Sequence, residues 1–166
     1  MATALFVTRE DIVKFTAMNG NVDTDKFIQF VKIAQDIHIQ NYLGTKLFNK
    51  INDAIVANTL ASPYTTLLSQ YIKPMVIHFA MVEYLPFAAY TIANKGVFKH
   101  NSENSTNVEK NEVDFLIEKE RDIAQHYTNR FIDYMCYNQS SFPEYNTNSN
   151  GDVFPDSEAN FIGWVI

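Results

Sequence analysis

Cysteine occurs once, at Cys136, so neither an internal disulfide nor a multi-cysteine metal site can be built from this chain. Glycine is scarce as well, with five residues at positions 20, 44, 96, 151 and 163 and no two close together. A glycine-rich loop to cradle a phosphate is therefore absent, which removes P-loop and Rossmann nucleotide binding at the level of motif. No unbroken apolar run is long enough to span a bilayer. Met1-Ala2-Thr3-Ala4-Leu5 lacks the basic region and apolar core of a signal peptide, so an intracellularly assembled protein is expected. A basic excess is missing too: the formal net charge is −6, the wrong sign for a protein whose main task is to neutralise phosphates.

Catalytic patterns are equally thin. The histidines, His38, His78, His100 and His126, lie far apart, and none has a partner at the spacing of a His-Glu-x-x-His zinc site. His78 precedes Glu83 by five residues, which separates the two side chains around a helix axis, so it reads as a core or interface histidine. Asp114, Glu118 and Asp122 share one helical face by their spacing of four, most simply a solvated strip. Cys136, between Met135 and Tyr137, is expected to be a buried structural thiol. No catalytic residue, cofactor or metal is implied.

Apolar periodicity and aromatic content are abundant. With 13 Phe, 9 Tyr and only 19% charged residues, the chain has much contact surface for one domain of 166 residues. Leu5 to Thr8 suggests a short extended piece, and Thr8-Arg9-Glu10-Asp11 a capping box opening a helix that ends near Met18. Asp23 or Thr24 caps a second helix with Phe27, Phe30, Val31, Ala34 and Ile37 on one face. Leu43-Gly44-Thr45 interrupts it, and Leu47, Ile51 and Ile55 continue beyond the break. Ser62-Pro63 reads as a cap and first-turn proline for a third run, closed at Asn94-Lys95-Gly96, with a broad apolar face from Leu67 to Ala80. Pro74 and Pro86 inside that run predict a kink or two consecutive helices. Asn94-Lys95-Gly96 reads as its C-cap, and His100 to Asn111 as a polar loop. The last helix is expected over 111–137, with Val113, Leu116, Ile117, Ala124, Tyr127, Phe131 and Met135 inward and Glu118 to Asp122 solvated. The fold class is mostly α, a small bundle of about four to five helices with an extended N-terminal segment and a C-terminal arm.

Composition divides the chain into a helical body, 1–138, and an aromatic-rich arm, 139–166. The arm holds Glu144, Asp152, Asp156 and Glu158 with no Lys or Arg, so it carries −4 and the body −2. It also carries five aromatics, whereas segments that stay disordered are usually poor in them. Such an arm is built to lie on a surface, its own body or a neighbouring subunit. Phe142, Tyr145, Phe154, Phe161, Trp164 and Ile166 are the candidate interface anchors.

The order of elements resembles a known family. Thr8-Arg9-Glu10-Asp11-Ile12 leads to a helix ending in Ile39-Gln40-Asn41-Tyr42-Leu43-Gly44-Thr45-Lys46-Leu47-Phe48, then to a long helix with Tyr84-Leu85-Pro86-Phe87 and a charged final helix. Over roughly residues 5 to 138 this is similar to the head–tail connector (head-completion or adaptor) proteins of tailed bacteriophages, including the form in crAss-like phages. The most specific shared element is the Tyr42-Leu43-Gly44 break. The resemblance implies a helical, non-enzymatic subunit of a homo-oligomeric ring, usually of twelve copies, in the virion neck. Its partners would be the portal and the tail or other neck proteins, with DNA only as cargo and no membrane. On that reading Lys95, Lys99 and Lys110 flank a loop facing the channel or the portal. Two rivals are a tail-terminator-like neck protein and a small helix-turn-helix module resting on Lys46 and Lys50.

Overall fold

Thr8 caps the first helix as its sequence predicts. Its hydroxyl accepts from the Asp11 amide while the Asp11 carboxylate accepts from the Thr8 amide, and helix α1 runs Arg9–Phe15. The computed structural model describes residues 3–18, 24–88, 90–93, 96–99 and 110–158. Helix α2 covers Thr24–Ala34 and passes through one π turn, Gln35–Ile39, into α3, Gln40–Val56. Helix α4, Tyr64–Leu67, passes through a second π turn, Leu68–Ile72, into α5, Lys73–Tyr84. A 3-10 turn, Leu85–Phe87, then leads to a hairpin of β1, Tyr90–Ala93, and β2, Gly96–Lys99. Tyr90 lies opposite Lys99 and Ala93 opposite Gly96 in antiparallel register. Helix α6 spans Lys110–Asn138, and a 3-10 turn, Gln139–Ser141, joins it to α7, Pro143–Asn146. The mostly helical bundle expected from the periodicity is what forms.

The first π turn shifts the buried face. A straight helix through Phe27, Phe30, Val31 and Ala34 would place Ile37 inside, but Ile37 is 54% exposed and Ile39 is fully buried. The wider turn adds a residue and moves the inward stripe along the sequence. It also turns Gln35 inward, where Oε1 accepts from the Phe6 amide at 2.7 Å and Nε2 donates to the Ala4 carbonyl at 3.1 Å. The extended N-terminal segment is thereby tied to the body, and the Phe6 ring meets Phe48 at 5.0 Å. In the third run the prolines sit where they do least harm. Pro74 lies in the first turn of α5, after the π turn, and Pro86 in the terminal 3-10 turn.

Four local expectations are corrected. Ser62 makes no cap: the residue at that position is Pro63, without a side-chain bond to the helix. The third run does not extend to a cap at Asn94-Lys95-Gly96: the helix ends at Tyr84, Gly96 begins β2, and Asn94 and Lys95 lie outside the described residues. Cys136 is exposed, since the inward stripe of the last helix runs through Ala124, Thr128, Phe131, Ile132 and Met135 and leaves Cys136 on the outer side. Leu116 is exposed rather than inward, because the buried residues of α6 all lie from Ala124 onward. The pairs Tyr71–Tyr134 and His78–Tyr127 step in opposite directions along the chain, so α5 and α6 pack antiparallel. Asp23 and most of the 100–111 loop lie outside the described residues.

Candidate interaction sites

Gly44 opens the first site. Its φ of 72° and ψ of 162° lie in a region essentially restricted to glycine and break α3 from within. In an unbroken helix the Thr45 amide would donate to the Asn41 carbonyl. The arm takes both of these groups. Thr45 donates to the Val153 carbonyl at 3.0 Å, and the Asp156 amide donates to the Asn41 carbonyl at 2.8 Å. The Val153 amide donates to Thr45 Oγ1 at 2.8 Å, and the Lys46 amide to Asn148 Oδ1 at 3.1 Å. Lys46 Nζ reaches the Thr147 carbonyl. The geometry is that of a short strand laid along freed backbone groups. A β-carbon on Gly44 would come within 2.8 Å of Asn148 Nδ2 and 2.9 Å of the Pro155 ring, so glycine serves both the backbone angle and the close approach.

Upstream of that strap the arm enters the core. Phe142 is fully buried and Tyr145 is 5% exposed, in one cluster with residues of α2, α3, α5 and α6. Phe142 meets Tyr64 edge-on at 5.4 Å, and the Tyr64 hydroxyl donates to Glu144 Oε2 at 2.6 Å. Phe142 and Tyr145 thus anchor the chain to itself and are withdrawn from the intermolecular candidates. The compositional boundary at Asn138 does not divide the core. Of the arm anchors, Phe154 remains 61% exposed, and Phe161, Trp164 and Ile166 lie outside the described residues. Among the channel candidates, Lys95 and the Lys99 side chain also lie outside them, while Lys110 is exposed at the start of α6. Lys46 and Lys50, needed by a groove-reading helix, face the arm side: Lys50 lies 5.8 Å from the Tyr64 ring centroid.

Both anchoring phenols resist ionisation. Burial first, then the hydrogen bond and charge of Glu144, push Tyr64 from 10.0 up to about 12. Burial, with smaller contributions from Cys136 and Asp156, pushes Tyr145 to about 12. Among the described residues the buried Tyr145 hydroxyl has no hydrogen-bond partner. Folding favours the neutral phenols, so their contribution is complete below pH 10 and disappears as pH rises through about 12. An alkaline titration read by phenolate absorbance should therefore show a late phase coinciding with loss of the strap. Tyr64→Phe should reduce that phase; an unchanged titration would separate Tyr64 from it.

The second site is a cavity of about 410 Å3 between α1, the second π turn, α5 and α6. At its wall His78 Nδ1 lies 2.7 Å from Glu120 Oε2, and the imidazole stacks on Tyr127 at 5.4 Å. Glu120, expected on a solvated strip, is turned inward by this pair. His78 is a partnered, nearly buried histidine. Glu83, its near neighbour in sequence, pairs instead with His38 at 2.8 Å. Lys73 Nζ sits 2.7 Å from Asp11 Oδ2. Burial alone would raise the Asp11 pKa, but hydrogen bonds from Lys73 and Thr8 outweigh it and leave the carboxyl below its usual value. Arg130 lies 5.7 Å and 5.8 Å from the ring centroids of Tyr71 and Tyr127 and, among the described residues, pairs with no carboxylate. Among the described residues no cluster of three or more metal-ligating side chains occurs, and no helix is long and apolar enough to cross a membrane.

The third feature is the start of α6. At 29 residues this helix is about 43 Å long. Its first half leaves Phe115, Leu116 and Ile123 at 57%, 45% and 39% exposure. Phe87, in the turn that contacts α6, is 52% exposed.

The fold and these surfaces define a helical bundle closed by its own C-terminal strap, with contact surface left at one helix end and at one polar cavity. The chain belongs to the DUF6712 family, described as a family of unknown function, which matches residues 39–155. That stretch begins at the end of the first π turn and finishes at Pro155 against Gly44, so the strap falls inside the family's unit up to the residue before Asp156. No curated protein and no solved structure matches the chain.

Proposed function

We propose that this protein is a structural subunit of a tailed-phage particle, a connector forming a ring between portal and tail that extends the DNA channel and offers a docking surface for tail components. The observation that carries the reading is the uncovered first half of α6, where Phe115, Leu116 and Ile123 face solvent, with Phe87 exposed in the turn that contacts this helix. Scattered apolar residues are ordinary on a surface, but several gathered at one helix end favour a protein partner. The acidic charge suits a conduit that must let DNA pass without gripping it. A head-to-tail ring contact needs two different complementary surfaces on each subunit, and the helix end and the strap supply two.

The test is the solution mass of the full chain alone and mixed with a tailed-phage portal protein. Ring-sized assembly, or co-migration with the portal, is the expected result. A protein that stays monomeric and ignores the portal would exclude the connector role.

A further inference from the structure

We infer that the cavity beside Arg130 is a receptor for the acidic, aromatic end of the arm of a second copy of this chain, in the segment from Glu158 to Phe161. The inference rests on the ring reading and supplies one of its contacts. Charge selects the ligand. The Asp11 carboxylate holds Lys73, and Glu120 holds His78. Arg130 is thus the cation at this wall without a carboxylate among the described residues, and its guanidinium is spread over Tyr71 and Tyr127. A guanidinium so placed is pre-organised for a carboxylate. Gln70, at the same rim, is exposed and its side-chain amide makes no hydrogen bond among the described residues, so it can donate to or accept from a peptide backbone. Phe15, 57% exposed at the mouth, provides an aromatic wall.

The arm has the complementary chemistry. Glu158 is exposed and, among the described residues, its carboxylate is unpaired. Three residues further on stands Phe161, a reach of about 10 Å in extended chain. A carboxylate on Arg130 and a ring in the cavity are therefore compatible with one short segment. A neighbour is favoured over self-docking by the way the strap is fastened. Its last bond ties Asp156 to Asn41 in α3, and α3 contributes no residue to the cavity wall. Donor and receptor on different elements give a head-to-tail contact, the kind that closes a ring.

The experiment is a charge-reversal cycle on the full chain, read as concentration-dependent mass in solution. Arg130→Glu and Glu158→Arg should each weaken self-association by about tenfold, and the double variant should restore it. Both residues are exposed, so thermal midpoints should move by no more than a few degrees across the set, the loss of the Arg130 contacts with Tyr71 and Tyr127 being the largest change. Association untouched by either reversal, or a double variant as weak as the singles, overturns the receptor assignment while leaving the ring reading to the portal test. A wild-type chain that is monomeric at every concentration overturns exchange between copies as well.

Discussion

Gly44→Ala should lower the thermal midpoint more than any other single-methyl change in the chain. Two penalties coincide at this position. The backbone sits at φ 72° and ψ 162°, a conformation that costs a residue with a β-carbon about 1–3 kcal/mol. The added carbon also collides with Asn148 Nδ2 at 2.8 Å and the Pro155 ring at 2.9 Å, and overpacking of that kind costs about 1–3 kcal/mol more. The chain can escape the collision only by releasing the strap, which then forfeits the hydrogen bonds to Thr45, Lys46 and Asn41. A loss of about 2–6 kcal/mol is expected, or roughly 4–24 °C in midpoint for a domain of this size. Limited proteolysis should show new cleavage between Thr147 and Asp156. Gly151→Ala is the control: its φ is also positive, at 92°, but nothing lies within 4 Å of the added carbon. It should lose about 1 kcal/mol from backbone strain alone. Equal losses at the two glycines would mean that the strap does not depend on close approach at Gly44.

That contrast also marks what could be read from the chain and what could not. Thr8 and Asp11 announce α1, because a capping box is a purely local exchange of hydrogen bonds. The Gly44 break is local too, since a glycine flanked by helical periodicity identifies itself. What fills the break is not local: Val153 and Asp156 come from more than a hundred residues away, and hydrogen bonds from backbone amides leave no trace in side-chain pattern. The π turns escaped for a related reason. A periodicity of 3.6 residues carries no record of one inserted residue, so Ile37 and Ile39 exchanged places. The hairpin escaped because Tyr90–Ala93 and Gly96–Lys99 are only four residues each, too short to reveal alternation next to a long helix. In the cavity, the inward turn of Glu120 needed the antiparallel pairing of α5 with α6, which sets His78 across from it. Composition pointed to an arm made to lie on a surface, and its described part up to Asp156 lies on the chain's own body. It could not apportion the arm's aromatics between the chain's own core and other surfaces.

That apportioning governs the second large effect. Phe142→Ala should lose about 3–5 kcal/mol, as expected for a fully buried phenylalanine replaced by a methyl group. The ring stands edge-on to Tyr64 and 6.2 Å from Tyr134, so its removal leaves a cavity between α4, α6 and the arm that neither helix can close without moving the other. Phe154→Ala, at a residue 61% exposed, should change the stability of the isolated chain by no more than about 0.5 kcal/mol. Denaturant unfolding of the two variants measures both values, and similar losses would mean that the arm's first aromatic is not part of the core. The same distinction decides how the arm is to be shortened. Ending the chain after Asn138 removes Phe142 and Tyr145, bares Phe131 and leaves Tyr64 without its hydrogen-bond partner, so it should unfold or aggregate. Ending it after Glu158 keeps every described residue in place. If ending the chain after Asn138 alone abolishes cooperative unfolding while ending it after Glu158 alters only association, the arm is two things in series: a core element up to Asp156 and a free ligand beyond it.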